Sequence, residues 1–319
     1  MPKSHSRSRQ SYKIGMSVPP NAISAVSAAR TAQFQEAVAV AGLTLTAGAR
    51  SRCRGRPGPE ALPYIVETGV MALIRCDFFS EVLELGTSMT VLLPQEPAAG
   101  PPPVLYLLHG LTDDHTAWTR NTSIERYAAV RGLAVVMPQV HRSFYADERH
   151  GFKFWTFLSE ELPTVIDRLF RVSALRQETF VAGLSMGGYG AMKWALRQPE
   201  RFAKAATLSG ALDLAYSYRW DLRPHMRELV ERVFADHPVA GTGDDLLHLL
   251  AAADPAELPE LMLRCGTEDH LRAQNERFVA ACAEHGIALD AGFGPGAHEW
   301  AYWDREIPAV LDWLIPAAA

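Results

Sequence analysis

Cysteine, long apolar runs and net charge are all in short supply in this 319-residue chain. Four cysteines, Cys53, Cys76, Cys265 and Cys282, lie scattered without paired spacing. That excludes a disulfide-stapled secreted scaffold and points to reduced thiols in a cytoplasmic protein. No stretch approaches the ~20 apolar residues of a membrane span. The apolar run from Ala37 to Ala49 follows Glu36 and ends in Arg50-Ser51-Arg52, which does not suit a secretory signal. A formal net charge of −5 argues for solubility and gives no reason to expect nucleic acid or a membrane as partner. Internal repeats are missing. What is present, 48% hydrophobic and 21% charged residues, suits one ample core plus an additional segment.

The additional segment is N-terminal. Residues 1–60 hold nine Lys or Arg against Glu36 and Glu60, a net +7, whereas the remaining 22 basic and 34 acidic residues sum to −12. Rich in Ala, Ser, Gly, Pro and Arg and without strand alternation, residues 1–70 are expected to be a flexible extension outside the catalytic fold. Met71 then stands near the natural start, and 71–319 is the catalytic domain. A transit peptide or a weak nucleic-acid-binding arm would share this composition, but no specific motif supports either.

Within 71–319, Gly183-Leu184-Ser185-Met186-Gly187 follows the apolar run from Thr179 to Ala182 and opens onto a helical stretch. This is a G-x-S-x-G sequence in its strand-to-helix context, a turn that presents a serine hydroxyl to solvent. A hydroxyl needs a base to take its proton and a carboxylate to orient that base. Glu260 to Cys265 reads as a buried strand running into Gly266-Thr267-Glu268-Asp269-His270. Asp269 lies just past a strand end, where sites form in parallel sheets; Glu268 is the alternative, readable as a solvated loop carboxylate. His298, on the Gly-rich loop after the last strand candidate, is the histidine in the right order and place. The oxyanion formed on attack needs two backbone N–H donors, for which Met186 and Leu111 are the candidates, the latter on the loop His109-Gly110-Leu111 that ends the strand Val104 to Leu108. His109 is expected to shape that loop. Asp113, Asp114 and His115 lack a second ligand pair with metal-binding spacing, so no metal and no cofactor is expected.

From Met71 onward, over about 250 residues, the chain resembles the esterase D-like branch of the α/β-hydrolases, and most closely the short-chain tributyrin esterases. The resemblance rests on Leu107-Leu108-His109-Gly110-Leu111, Trp118, Ile124-Glu125-Arg126, Val135-Val136-Met137-Pro138, Gly183 to Gly190, Leu208-Ser209-Gly210-Ala211, Cys265-Gly266-Thr267-Glu268-Asp269 and His298-Glu299-Trp300. S-formylglutathione hydrolases, feruloyl esterases and mycolyltransferases belong to the same superfamily. The resemblance implies Ser185 as nucleophile, Asp269 as orienting acid, His298 as base and Leu111 and Met186 as oxyanion donors, acting on small short-chain acyl esters, with a homo-oligomer as a further expectation.

Strand candidates near 73–79, 88–93, 104–108, 133–137, 179–184, 204–208, 259–265 and 287–293, with helices between most later ones, predict a mainly parallel sheet with an antiparallel edge. A helical insertion is expected at 213–258, either a cap over Ser185 or a peripheral excursion. Trp118 and Trp220 are the leading candidates for lining an apolar substrate cleft, although aromatics in such numbers are more often core. The expected activity is a serine carboxylesterase. An S-formylglutathione hydrolase-type thioesterase, an acyltransferase and, from another class, a non-catalytic binding protein on the same fold are the alternatives.

Overall fold

The computed structural model describes residues 69–95, 100–217, 224–235 and 238–315. Residues 1–68 of the expected extension and Trp220 lie outside them.

Strands β1 (Met71–Ser80), β2 (Leu85–Pro94), β3 (Val104–Leu108), β4 (Ala134–Pro138), β5 (Thr179–Leu184), β6 (Lys204–Leu208), β7 (Glu260–Gly266) and β8 (Leu289–Gly294) form one sheet in the order β1-β2-β4-β3-β5-β6-β7-β8. β1 and β2 form an antiparallel hairpin, β2 pairs antiparallel with β4, and every other pairing is parallel. The burial patterns explain the positions. β3, β4 and β5 are unbroken apolar runs buried at every residue, as strands covered on both faces must be. β1 alternates between more and less exposed residues, as an edge strand with one solvated face does.

Helices α1 (Ala117–Asn121) and α2 (Ile124–Ala129) follow β3. Next, α3 (Phe154–Thr156), a π turn at Phe157–Glu161 and α4 (Leu162–Leu169) run on towards β5, and α5 (Met186–Arg197) follows it. The β6–β7 connection holds α6 (Leu214–Ser217), α7 (Pro224–Phe234) and α8 (Leu246–Ala252), so the expected insertion is helical. α9 (Arg272–Glu284) follows β7 and α10 (Trp300–Leu314) follows β8. One core, with Trp118, Ile124, Trp303, Ile307 and Leu311, joins α1, α2 and α10 to one face of the sheet. The other, with Leu162, Ile166, Met192, Trp194 and Phe278, joins α4, α5 and α9 to the opposite face. This is the three-layer α/β-hydrolase architecture.

α5 is buried from Met186 to Leu196 and therefore carries no solvent-facing stripe. Arg197 ends the helix, but its other cation, Lys193, is 0% exposed and needs partners. The ammonium pairs with Asp244 before α8, donates to the Tyr145 carbonyl at 2.7 Å and lies 4.8 Å from the centre of the Trp155 ring. Burial pulls its pKa down and the Asp244 charge opposes that pull. One side chain thus ties the central helix to the loop beyond β4 and to the insertion. Truncation by Lys193→Ala removes those contacts and leaves a cavity, and should lower unfolding free energy by about 3 kcal/mol. Lys193→Met, which keeps the volume, should lose less in the same denaturant titration.

Candidate active site

β5 delivers Ser185 to a turn that ordinary residues avoid. Its φ of 54° and ψ of −118° lie outside the regions open to residues with a Cβ, a distortion costing about 1–3 kcal/mol that the surroundings must hold in place. They do so through the backbone: the Ser185 N–H donates to Leu208 O at 3.0 Å, and its carbonyl accepts from the Tyr189 and Ala211 N–H groups, both at 3.0 Å. The flanking glycines serve close approach. A Cβ on Gly183 would overlap the Gly187 carbonyl, and one on Gly187 would overlap the Leu108 carbonyl at the end of β3.

His298 Nε2 lies 3.0 Å from Ser185 Oγ, and His298 Nδ1 lies 2.9 and 3.1 Å from the two Asp269 oxygens. The three groups form a continuous hydrogen-bonded line from a buried carboxylate to a partly exposed hydroxyl. Asp269 also accepts from the Leu271 N–H at 2.7 Å and is hydrogen-bonded by the Ser209 hydroxyl. Burial pushes its pKa up, but His298, the Leu271 amide and Ser209 outweigh it and hold the carboxyl below its ordinary range. The acid is therefore ionised at neutral pH, which makes it the acceptor and fixes the proton of His298 on Nδ1.

Glu268, one residue earlier, serves a different purpose. Its carboxylate accepts from the Gly296 N–H at 2.6 Å and from the Thr267 hydroxyl at 2.7 Å, so it fastens the loop that carries His298. The Trp303 ring stands edge-on to His298 with centroids 5.0 Å apart, and its Nε1–H donates to Ser209 Oγ at 3.2 Å. Ser209 has a φ of 49° and is buried between that indole and Asp269. No motif gives Ser209 a task, and its placement beside Asp269 is visible only once β6 and β7 are neighbours.

Against this geometry, similarity to known proteins becomes informative. A sequence model of the Esterase family matches residues 80–314. The chain belongs to the Esterase family. As a member, it is a carboxylic ester hydrolase. It is 26% identical over 263 residues to an acetyl esterase of Caldicellulosiruptor saccharolyticus, covering 76% of this chain and 98% of that protein. Among solved structures it is similar to the fluorophosphonate-binding serine hydrolase FphF of Staphylococcus aureus, with 33% identity, 77% and 99% of the two chains covered and a TM-score of 0.72. It is also similar to an S-formylglutathione hydrolase of the same species, with 33% identity, the same coverage and a TM-score of 0.69.

Other expected site residues of this esterase are placed as follows. Leu111 follows Gly110, whose N–H donates to Asp113 Oδ2 at 3.1 Å in a tight turn. Met186 begins α5, a position whose N–H has no carbonyl one turn earlier to bond. Trp118 departs from expectation: it is 1% exposed, its indole donates to Leu108 O at 3.1 Å and its ring meets Trp300 edge-on, so it supports β3 from within the core and does not line a cleft. The Asp114 carboxylate accepts from the Thr116 hydroxyl and amide and from Arg120, and the His115 ring bonds the Thr90 hydroxyl, so both are committed to local structure. No helix among the described residues is long and apolar enough to cross a membrane.

His109 shapes the loop before Leu111 in one protonation state only. Nδ1 contacts the Gly110 carbonyl at 2.8 Å and so carries the hydrogen, while Nε2 accepts from the Val140 N–H at 3.2 Å. Protonation would put a donor against a donor, and burial pushes the imidazole pKa down from 6.5 to about 4. An unfolded chain takes up that proton near pH 6.5 and the folded one only near 4, so this group's contribution is full above pH 6.5 and drains away as pH falls towards 4. His109→Leu, which offers no acceptor, should cost about 1–3 kcal/mol at pH 7, from the unpaired Val140 amide. Denaturant titrations at successive pH values should show the gap between wild type and variant closing or reversing by pH 4, a change on the order of 3 kcal/mol.

Proposed function

We propose that this carboxylic ester hydrolase is a serine esterase for short-chain acyl esters, with Ser185 as nucleophile, His298 as general base and Asp269 as the acid that orients it. The observation that carries the reading is the 3.0 Å contact from His298 Nε2 to Ser185 Oγ in line with the 2.9 Å contact from Nδ1 to Asp269. With the Nδ1 proton held by an ionised carboxylate, Nε2 offers its lone pair to the serine hydroxyl. His298 takes the Ser185 proton as Oγ attacks the acyl carbonyl. The negative oxygen is received by the N–H groups of Met186 and Leu111, the former aided by the positive end of α5. His298 returns the proton to the departing alcohol, leaving an acyl-enzyme on Ser185. Water, deprotonated by His298 in turn, releases the acid and regenerates the hydroxyl.

Likeness to an acetyl esterase supports a small acyl group, and likeness to an S-formylglutathione hydrolase supports a thioester as the second reading. Both use the same attack and differ in the leaving group.

Hydrolysis of p-nitrophenyl acetate, butyrate, octanoate and laurate tests the proposal, with S-formylglutathione assayed alongside. Turnover should be highest on acetate and butyrate, and Ser185→Ala should lower kcat by about 10⁴–10⁶. Asp269→Asn should lower it by about 10⁴ through loss of the correct tautomer. Glu268→Gln, which loosens only the loop fastening, should stay within about tenfold of wild type. A Ser185→Ala enzyme with near-normal turnover would remove the nucleophile assignment. Faster turnover of the thioester than of any oxyester would keep the mechanism and change the substrate.

A further inference from the structure

His270 is used by neither the proposed relay nor the oxyanion loop, yet it stands beside both nitrogen and oxygen ligands. It follows Asp269 directly, its side chain is 69% exposed, and its ring meets that of His298 at a centroid distance of 4.5 Å and an angle of 66°. Its Nδ1 is 3.8 Å from Asp269 Oδ1, while His298 Nδ1 is 2.9 Å from Asp269 Oδ2. One ligand atom from each of Asp269, His270 and His298 lies within 4.8 Å of those of the other two.

Tetrahedral zinc with nitrogen and oxygen ligands at about 2.0–2.1 Å holds those ligands roughly 3.3–3.4 Å from one another. Asp269 Oδ1 lies 3.1 Å from His298 Nδ1 and 3.8 Å from His270 Nδ1, and one ligand atom from each of the three residues lies within 4.8 Å of the others, so side-chain shifts of about an ångström would close the three around an ion. The His270 side chain is largely exposed, so the fourth position is left for water. Two imidazoles and one carboxylate suit zinc, copper or nickel dications and are too rich in nitrogen for magnesium or calcium.

We infer that Asp269, His270 and His298 form an inhibitory site for a zinc-like transition-metal dication, which shuts the relay by ligating its acid and its base together. The consequence follows from proton positions. With the ion on Nδ1 of His298, the hydrogen that occupied Nδ1 is carried on Nε2 and no proton is lost or gained overall. Nε2 then presents an N–H to Ser185 where it presented a lone pair, and the Ser185 proton has nowhere to go. Asp269 is held by the ion and no longer orients the ring. Inhibition is reversible, since removing the metal restores the original tautomer.

The inference rests on the proposed relay for its effect on activity but not for binding, so the two are read separately. Metal-free wild type, Ser185→Ala, His270→Ala and His270→Asp are titrated with cobalt(II), followed by its visible absorption, and with zinc chloride by calorimetry. p-Nitrophenyl butyrate hydrolysis is measured for each active variant with and without zinc, each against its own metal-free rate. Wild type and Ser185→Ala should both bind one ion, with loss of hydrolysis in wild type that EDTA reverses. His270→Ala should bind at least about 10- to 100-fold more weakly and keep its activity at zinc concentrations that silence wild type. His270→Asp, which restores a ligand, should recover part of both effects. Equal binding and equal inhibition of wild type and His270→Ala would overturn the inference, as would a wild type that takes up no metal. If no form hydrolyses the ester, the functional proposal fails while the titrations still decide the metal site.

Discussion

Everything at the candidate site depends on how closely the start of α5 approaches the end of β3. Gly187 lies so near the Leu108 and His109 carbonyls that a Cβ there would overlap the first. This approach sets the Ser185 turn beside the loop that begins at His109. The energetic cost falls on Ser185, at a φ of 54°. It is met by the hydrogen bonds of its own amide and carbonyl to Leu208, Tyr189 and Ala211 and by the burial of α5. The strain is sustained because β5, β6 and α5 are all buried and cannot relax one without disturbing the others.

A second approach, between the ends of β7 and β8, does the same for the acid and the base. Gly266 is packed so tightly against the Gly296 carbonyl that a side chain there would collide with it. The Glu268 carboxylate and the Thr267 amide add hydrogen bonds to Gly296 and Gly294 on the opposite loop. Adjacent carboxylates therefore divide the work: Glu268, exposed, holds the loop, and Asp269, buried, meets His298. Ser209 and Trp303 complete the support from beneath, one on the carboxylate and the other on the imidazole ring. His298, like Asp269, lies on an irregular segment past a strand end, and its position is braced by Glu268 through Gly296 and by the Trp303 ring.

What could be read in advance had local causes. Apolar runs of five or six residues followed by glycine-containing turns marked β3 and β5, and the order of serine, acid and histidine along the chain selected Ser185, Asp269 and His298 as candidates. The residues that escaped are those whose role is set by partners remote in sequence. Glu268, readable only as a solvated loop carboxylate or the alternative acid, gains its task as a loop fastener through Gly296, twenty-eight residues on. Trp118 could not be told from a cleft aromatic because its indole partner, the Leu108 carbonyl, belongs to the preceding strand. Ser209 gains meaning only through Asp269 and Trp303, and Lys193 only through Asp244 and Tyr145. In each case a polar group was legible as polar, while its satisfaction depended on topology.

The same proximity that makes an effective relay also makes an incipient chelate. A carboxylate about 3 Å from an imidazole nitrogen is a proton-orienting pair when a hydrogen lies between them and a bidentate ligand when an ion does. With two protein ligands, zinc competes poorly against water and buffer, and the proton prevails. A third ligand on the same side changes that balance, because it adds a metal–nitrogen bond at little further cost in chain ordering. His270 is held next to Asp269 by the chain itself and beside His298 by their ring contact, so its translational freedom is already spent. On the inference above, proton and metal compete for the same lone pairs, and His270 weights that competition.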